Sequence, residues 1–249
     1  MSKKILFLAM LLTALGLGLS AQTLTIRTVY EDSAPKFIQG SDAKFSGLCV
    51  ELLELIAKEA NLKIDVPTAF VPKKRSQSLL ETGEIDLLMG VKKDLEREKI
   101  YNFGEALYPV NYLILVAKGD TVDIKDLSDF KSLAKAAPVL TVKGAASVAY
   151  LQGLGLTVDD GGADVESNIK KLAARRAKFF VYQNISTVYA LKAGGMAGDV
   201  VILPFNLDEY FQHIAYSKNV DPQIVKRISA AIKKLKDGKE WTAIVAKYL

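Results

Sequence analysis

The chain is poor in the residues that build metal centres and covalent cross-links. Among 249 residues there is one cysteine, Cys49, and one histidine, His213. A single cysteine rules out an intramolecular disulfide, a cysteine-rich zinc site and an iron–sulfur cluster. A single histidine rules out a multi-histidine metal site and leaves a nucleophile–histidine triad only one way to form. Neither sign of charge dominates. The 33 Lys and Arg against 28 Asp and Glu give a formal net charge of +5, too mild for a nucleic-acid-binding surface. Internal repeats and long flexible linkers are missing as well. Half of the residues are hydrophobic and 24% are charged, which excludes a disordered or collagen-like chain. The length suits one large domain or two of roughly 100–125 residues.

Only one long apolar run is present. Residues 1–21 read MSKKILFLAMLLTALGLGLSA, with Lys3 and Lys4 ahead of the run 5–19 and small residues Ser20 and Ala21 behind it. This is the anatomy of a secretory signal peptide cleaved after Ala21. The competing reading, a transmembrane anchor, needs roughly 20 apolar residues, more than this run supplies. No cysteine comes directly after the cleavage position, which argues against a lipid anchor. Cleavage removes two lysines and lowers the net charge from +5 to +3. The expected product, 22–249, resides in the periplasm and needs neither disulfides nor a cofactor.

The mature part alternates regularly between strand and helix patterns. Residues 24–29 alternate apolar and polar. Cys49, Leu52, Leu53, Ile56, Ala57 and Ala60 then recur at helical spacing, which makes Cys49 a core residue rather than a reactive thiol. β-prone runs occupy 62–66, 85–89, 112–116, 139–142, 179–182 and 200–203, with a helical pattern at Val165, Ile169, Leu172 and Ala173 between two of them. Such alternation predicts an α/β fold of mostly parallel sheets flanked by helices. Asp221-Pro222 is an N-cap followed by a first-turn proline. It opens a helix striped by Ile224, Val225, Ile228, Ala231, Ile232 and Leu235, with Gly238 as its stop. A last helix carries Trp241 as a packing anchor. Two proline-containing stretches, 108–112 and 203–206, are candidate crossings between two lobes.

Several motifs in order carry a resemblance. Phe45-Ser46-Gly47-Leu48-Cys49-Val50-Glu51-Leu52 resembles the Gly-aromatic-x-x-Asp-Leu helix start of periplasmic solute-binding proteins of ABC importers, specifically extracellular solute-binding family 3, the polar amino-acid type. Leu79 to Asp86 is similar to that family's Leu-x-x-Gly-x-Ile-Asp junction, Asp94 to Arg97 to its Thr-x-x-Arg, and Phe103 to Tyr108 to its Phe-Ser-x-x-Tyr. Further on, Val142 to Ala146, Phe180 to Asn184, Ile214 to Lys218 and Asp237 to Leu249 match its later landmarks, so the likeness spans the mature chain. It implies a two-lobed type II binding-protein fold with two hinge crossings. Lobe 1 is formed by 22–111 and 205–249, lobe 2 by 112–204. It also implies a hinged clamp that closes on a small solute and delivers it to a permease; a monomer is expected, because opening and closing need free lobes.

The resemblance places Arg97 at the family's carboxylate-binding arginine, where a planar guanidinium can make a bidentate pair. Gly90 and Lys92 stand where hydroxyl residues are usual, so Lys92 is either an extra anion contact or a surface lysine. Arg75 lies in the run Pro72-Lys73-Lys74-Arg75 and faces either the cleft or solvent. Asn184 replaces the aspartate that receives an α-ammonium group, which removes the charge-assisted part of that contact. Gly144 and Ala145 lie at a turn whose backbone N–H groups can meet an anion. Glu31 and Asp32 stand where the family's chain faces the cleft, so either takes over an ammonium or hydroxyl contact or both belong to a plain surface turn. Tyr30 and Tyr108, with Phe37 and Phe70, form a candidate aromatic wall. The cationic side is kept and the anionic side lost, which predicts a small carboxylate or other anion as ligand. Two alternatives share the fold. One is a periplasmic dehydratase-like enzyme using Glu31, Asp32 or Glu105 as general acid; the other is a ligand-sensing partner of a membrane receptor.

Overall fold

The computed structural model describes residues 24–248; the signal peptide expected at 1–21 lies outside them. The chain begins with β1 (Leu24–Arg27), a small hairpin of β2 (Ile38–Gln39) and β3 (Phe45–Ser46), and α1 (Leu48–Ala60). After α1 comes β4 (Leu62–Asp65), which pairs parallel with β1. The predicted stripe of α1 is buried in full. Its start depends on Gly47, whose φ of 115° suits glycine and whose missing Cβ would sit 2.6 Å from the Pro35 carbonyl oxygen. Asn61 closes the helix in the left-handed conformation, as a short polar side chain tolerates.

Next come α2 (Lys73–Thr82), stopped by left-handed Gly83, then β5 (Leu87–Lys92) and α3 (Leu95–Ile100), capped by Asp94. The second half of the molecule is built from β6 (Asn102–Ala117), α4 (Leu127–Ala134), β7 (Val139–Val142), α5 (Ala146–Gly153), β8 (Val158–Gly162), α6 (Val165–Ala173), β9 (Phe180–Gln183) and α7 (Asn184–Ala193). The chain returns along β10 (Val200–Tyr216) and ends with α8 (Pro222–Leu235) and α9 (Lys239–Tyr248). Asp221 caps α8 as expected, but the helix stops at Leu235, three residues before Gly238.

Six strands are hydrogen-bonded in the order β5-β10-β6-β9-β7-β8. The parallel pairs are β1–β4, β7–β8 and β7–β9, whereas β10 runs antiparallel to β5 and β6, and β6 antiparallel to β9. The sheets are mixed because one strand must enter the second lobe and another leave it. β6 and β10 are those strands, paired from Asn102↔Tyr216 to Ala117↔Val200. The short runs predicted at 112–116 and 200–203 are therefore the far ends of strands 16 and 17 residues long. Pro109 and Pro204 interrupt the pattern that would have revealed this, since proline donates nothing to a ladder. The register of β10 shifts on both sides of Asn206 and again beside His213.

Two hydrophobic cores fill the first lobe, a large one from Ile26 and Leu52 to Ile228 and Trp241 and a smaller one around Val29, Leu80 and Leu88. Two cores cover opposite faces of the second, one around Phe130, Phe179 and Val181, the other around Leu140, Ile169 and Phe180. Phe205 and Leu207 still pack against the first of these. The return crossing thus lies beyond 203–206, where Glu209 to Gln212 pair with Tyr108 to Asn111.

Candidate ligand cleft

A cavity of about 60 Å³ lies where the two lobes meet, with room for roughly four to six waters. Arg97 reaches it from α3. The Asp94 side chain accepts from the Arg97 backbone N–H at 2.9 Å, which sets the start of that helix. The guanidinium is held from behind: Nη1 donates to the Lys92 carbonyl at 3.0 Å, and Nε lies 3.6 Å from Asp94 Oδ2. Nη2 has no partner among the described residues, and the side chain is only 18% exposed.

Three lysines join it. Lys73, at the start of α2, makes no side-chain hydrogen bond among the described residues. Burial pushes its pKa down to about 8; Glu31 opposes that shift, and the neighbouring Lys36 and Arg97 add to it. Lys36 is buried and points its Nζ toward the Gly90 carbonyl at 3.5 Å. Lys92, at the end of β5, pairs with Asp208. The acid on this wall is Glu31, whose carboxylate accepts the Ser76 hydroxyl. Lys36, Lys73, Lys92 and Arg97 against Glu31 and the neighbouring Asp94 and Asp208, four positive and three negative, leave one positive charge in excess.

The opposite wall is uncharged. Ala145, Ala146 and Ser147 form the start of α5, whose first N–H groups have no intrahelical partner. The Ser147 hydroxyl is turned inward to Thr141 at 2.5 Å. Gln183, at the end of β9, donates to Ser186 at 3.0 Å and accepts from Gln212 at 3.2 Å. Gln212 is 3% exposed, and its Oε1 has no partner among the described residues. Tyr112, Tyr182 and Tyr210 complete the wall, their hydroxyl pKa values raised by burial.

Of the residues singled out in the sequence, Arg97, Lys92, Glu31, Gly90, Ala145 and Phe37 line this cavity; Asn184, Arg75, Gly144, Tyr30, Tyr108 and Phe70 do not. Asn184 starts α7, and its Oδ1 accepts the Asn111 N–H at 3.4 Å; one residue earlier, Gln183 takes the cavity position because the strand ends there. Arg75 is exposed and lies 3.5 Å from Glu84, while Lys73, two residues back, shares a helix face with buried Ser76 and Leu80. Gly144 occupies the turn before α5 with a φ of 65°. Tyr30 is buried behind Phe37, stacked on it at 5.0 Å, and Phe70 packs nearby on Phe45. Tyr108 is buried with its hydroxyl 3.2 Å from Cys49 Sγ, a thiol whose pKa burial pushes up to about 11. Gly90 explains this packing. Its φ is 69°, and a Cβ there would lie 2.8 Å from both that sulfur and that hydroxyl.

Lys36, Lys73, Gln183 and Gln212 were not anticipated as site residues. The helical period offers a signal for Lys73, because it lies seven residues before Leu80. The other three sit in a loop, a strand end and a crossing strand, where periodicity carries no such information.

Comparison with known proteins agrees with this architecture. A histidine kinase sensor domain with similarity to periplasmic binding proteins superposes with a TM-score of 0.77 at 18% identity, covering 92% of this chain and 96% of that one. A substrate-binding protein of an ABC uptake transporter from Streptococcus pneumoniae, with bound histidine, gives 0.75 at 15% identity, covering 90% and 92%. An ancestral arginine-binding protein bound to glutamine gives 0.74 at 21% identity, covering 90% and 97%. No curated protein sequence matches. The family model for the bacterial extracellular solute-binding proteins, family 3, matches residues 26–249, and the chain belongs to that family.

Proposed function

We propose that the chain is exported through a signal peptide at 1–21 and acts in the periplasm as the monomeric receptor of an ABC importer. In this reading it captures a small carboxylate or other anionic metabolite between its lobes. The observation that carries the reading is the pairing of Arg97 Nη2 and the Lys73 ammonium, both without hydrogen-bond partners among the described residues, on one wall of the inter-lobe cavity. Both side chains are only partly exposed, and a carboxylate arriving between them takes charge-assisted hydrogen bonds from both. Ligand contacts made from two lobes at once favour the closed arrangement over the open one.

A thermal-shift screen of the protein cleaved after Ala21, against small carboxylates, phosphate and amino acids, tests this. A true ligand at a hundred times its Kd stabilises the fold by about 2.7 kcal/mol, and the expected hits are carboxylates. Stabilisation by amino acids alone, with no response to any anion lacking an amino group, would overturn the reading. The enzymatic alternative has one acid in place, since Glu31 lines the cavity while Asp32 lines a separate groove and the Glu105 carboxylate accepts from Ser229. Turnover of a cyclic carboxylate would favour it. Ligand-dependent uptake in vesicles carrying the permease separates import from signalling to a membrane receptor.

A further inference from the structure

Lys92 lines the cavity with its ammonium already engaged. It is the last residue of β5, paired in register with Gln212 of β10. Its Nζ lies 2.7 Å from Asp208 Oδ2 and over three tyrosine rings, 4.1 Å from the centre of Tyr210, 5.0 Å from Tyr112 and 5.2 Å from Tyr150. Those rings come from β10, β6 and α5, and the Tyr150 hydroxyl donates to the Leu207 carbonyl at 2.9 Å, which fixes one side of the enclosure. All three distances fall within the roughly 6 Å over which a ring face attracts a cation. Three aromatic faces with one carboxylate make a receptor for an alkylammonium group. Tyr112 and Tyr210 line the same cavity as Arg97 and Lys73, so the receptor is part of the ligand site.

We infer that Lys92 is a built-in occupant of an ammonium subsite, and that by filling it the chain excludes ligands carrying an amino group. This inference rests on the proposal of a carboxylate ligand and narrows it. An incoming ammonium would have to displace Lys92 from both Asp208 and the rings, and the remaining acceptors are ill suited to it. Glu31 accepts from Ser76 through Oε1 and its charge already acts on Lys73, beside which an incoming ammonium would have to sit, and Gln183 has both ends of its amide committed. The neutral groups left over are Gln212 Oε1 and the Tyr112 hydroxyl, both buried and unpartnered among the described residues. Neutral partners beside several cations fit a hydroxyl, so the ligand class is a small hydroxy acid.

Malate and aspartate form the decisive pair, because they differ in a hydroxyl against an ammonium. Calorimetry on the wild-type protein should give malate at least about a tenfold lower Kd than aspartate; equal affinity, or preference for aspartate, overturns the inference. Lys92→Ala empties the subsite, and n-butylammonium, which copies the missing side chain, should then bind while showing no binding to the wild type. The gain should vanish in Lys92→Ala/Asp208→Asn. A folded Lys92→Ala protein that gains nothing for butylammonium contradicts the proposal. A measurement on the unaltered protein avoids dependence on variant folding: the Lys92 ε-methylene NMR signal should be shifted upfield by the three rings, and a random-coil position refutes the enclosure. These arms also separate the two claims. If no carboxylate binds but butylammonium enters Lys92→Ala, the function fails while the subsite stands.

Discussion

The two walls of the cavity differ in charge and in what positions them. The first-lobe wall carries Lys36 and Glu31 on a loop, Lys73 and Lys92 at element ends and Arg97 on a short helix. The second-lobe and crossing-strand wall carries alanines, amides and tyrosines with no charge of its own facing the ligand space, and Asp208 is already engaged by Lys92. The contrast fits the proposed division of labour, in which the first lobe selects for negative charge and the second closes over it with backbone N–H groups and neutral side chains. Within that wall Lys73 lies near Lys36 and Arg97, and burial together with those charges disfavours its ammonium, a local loss of stability of the kind that function often requires.

Substitutions that blur the contrast should act in proportion to the charge they remove. Arg97→Ala takes away the guanidinium, and a charge-assisted contact is worth about 1.5–3 kcal/mol. Carboxylate affinity should fall by roughly 10- to 100-fold in isothermal titration, with little change in the melting temperature of the ligand-free protein.

The smaller effect is that of Lys73. Its ligand-free pKa of about 8 lies below the ordinary 10.5, so between those values the unfolded chain binds more protons than the folded one. Stability without ligand should therefore rise with pH across that window. Carboxylate binding needs the ammonium and should run the other way, full below pH 7 and weakening above 8 by up to about tenfold per pH unit. Lys73→Met should flatten the binding profile, weaken affinity at neutral pH and raise the ligand-free melting temperature. Unchanged pH dependence in that variant would assign the titration to another group.

Much of the architecture was legible in the sequence. The α1 stripe, Cys49 and Trp241 are buried as their spacing required, and Asp221-Pro222 opens α8. Local periodicity and capping reveal such features because they involve neighbours within one or two turns. The long crossing strands were less legible, since Pro109, Pro204 and polar positions break their alternation. The site was only partly so. A one-residue difference in where β9 ends moves the cavity position from Asn184 to Gln183, and the helical face of α2 selects Lys73 over Arg75. The enclosure around Lys92 could not be read at all: Tyr112, Tyr150, Tyr210 and Asp208 meet only through the pairing of β6 with β10 and the placement of α5.

The central claim, an anion gripped by the first lobe, is tested most directly by a crystal structure with the tightest-binding carboxylate from the thermal screen. The account predicts carboxylate oxygens within hydrogen-bond distance of Arg97 Nη2 and the Lys73 ammonium. A ligand held by the second lobe alone, with the Arg97 side chain turned to solvent, would contradict it.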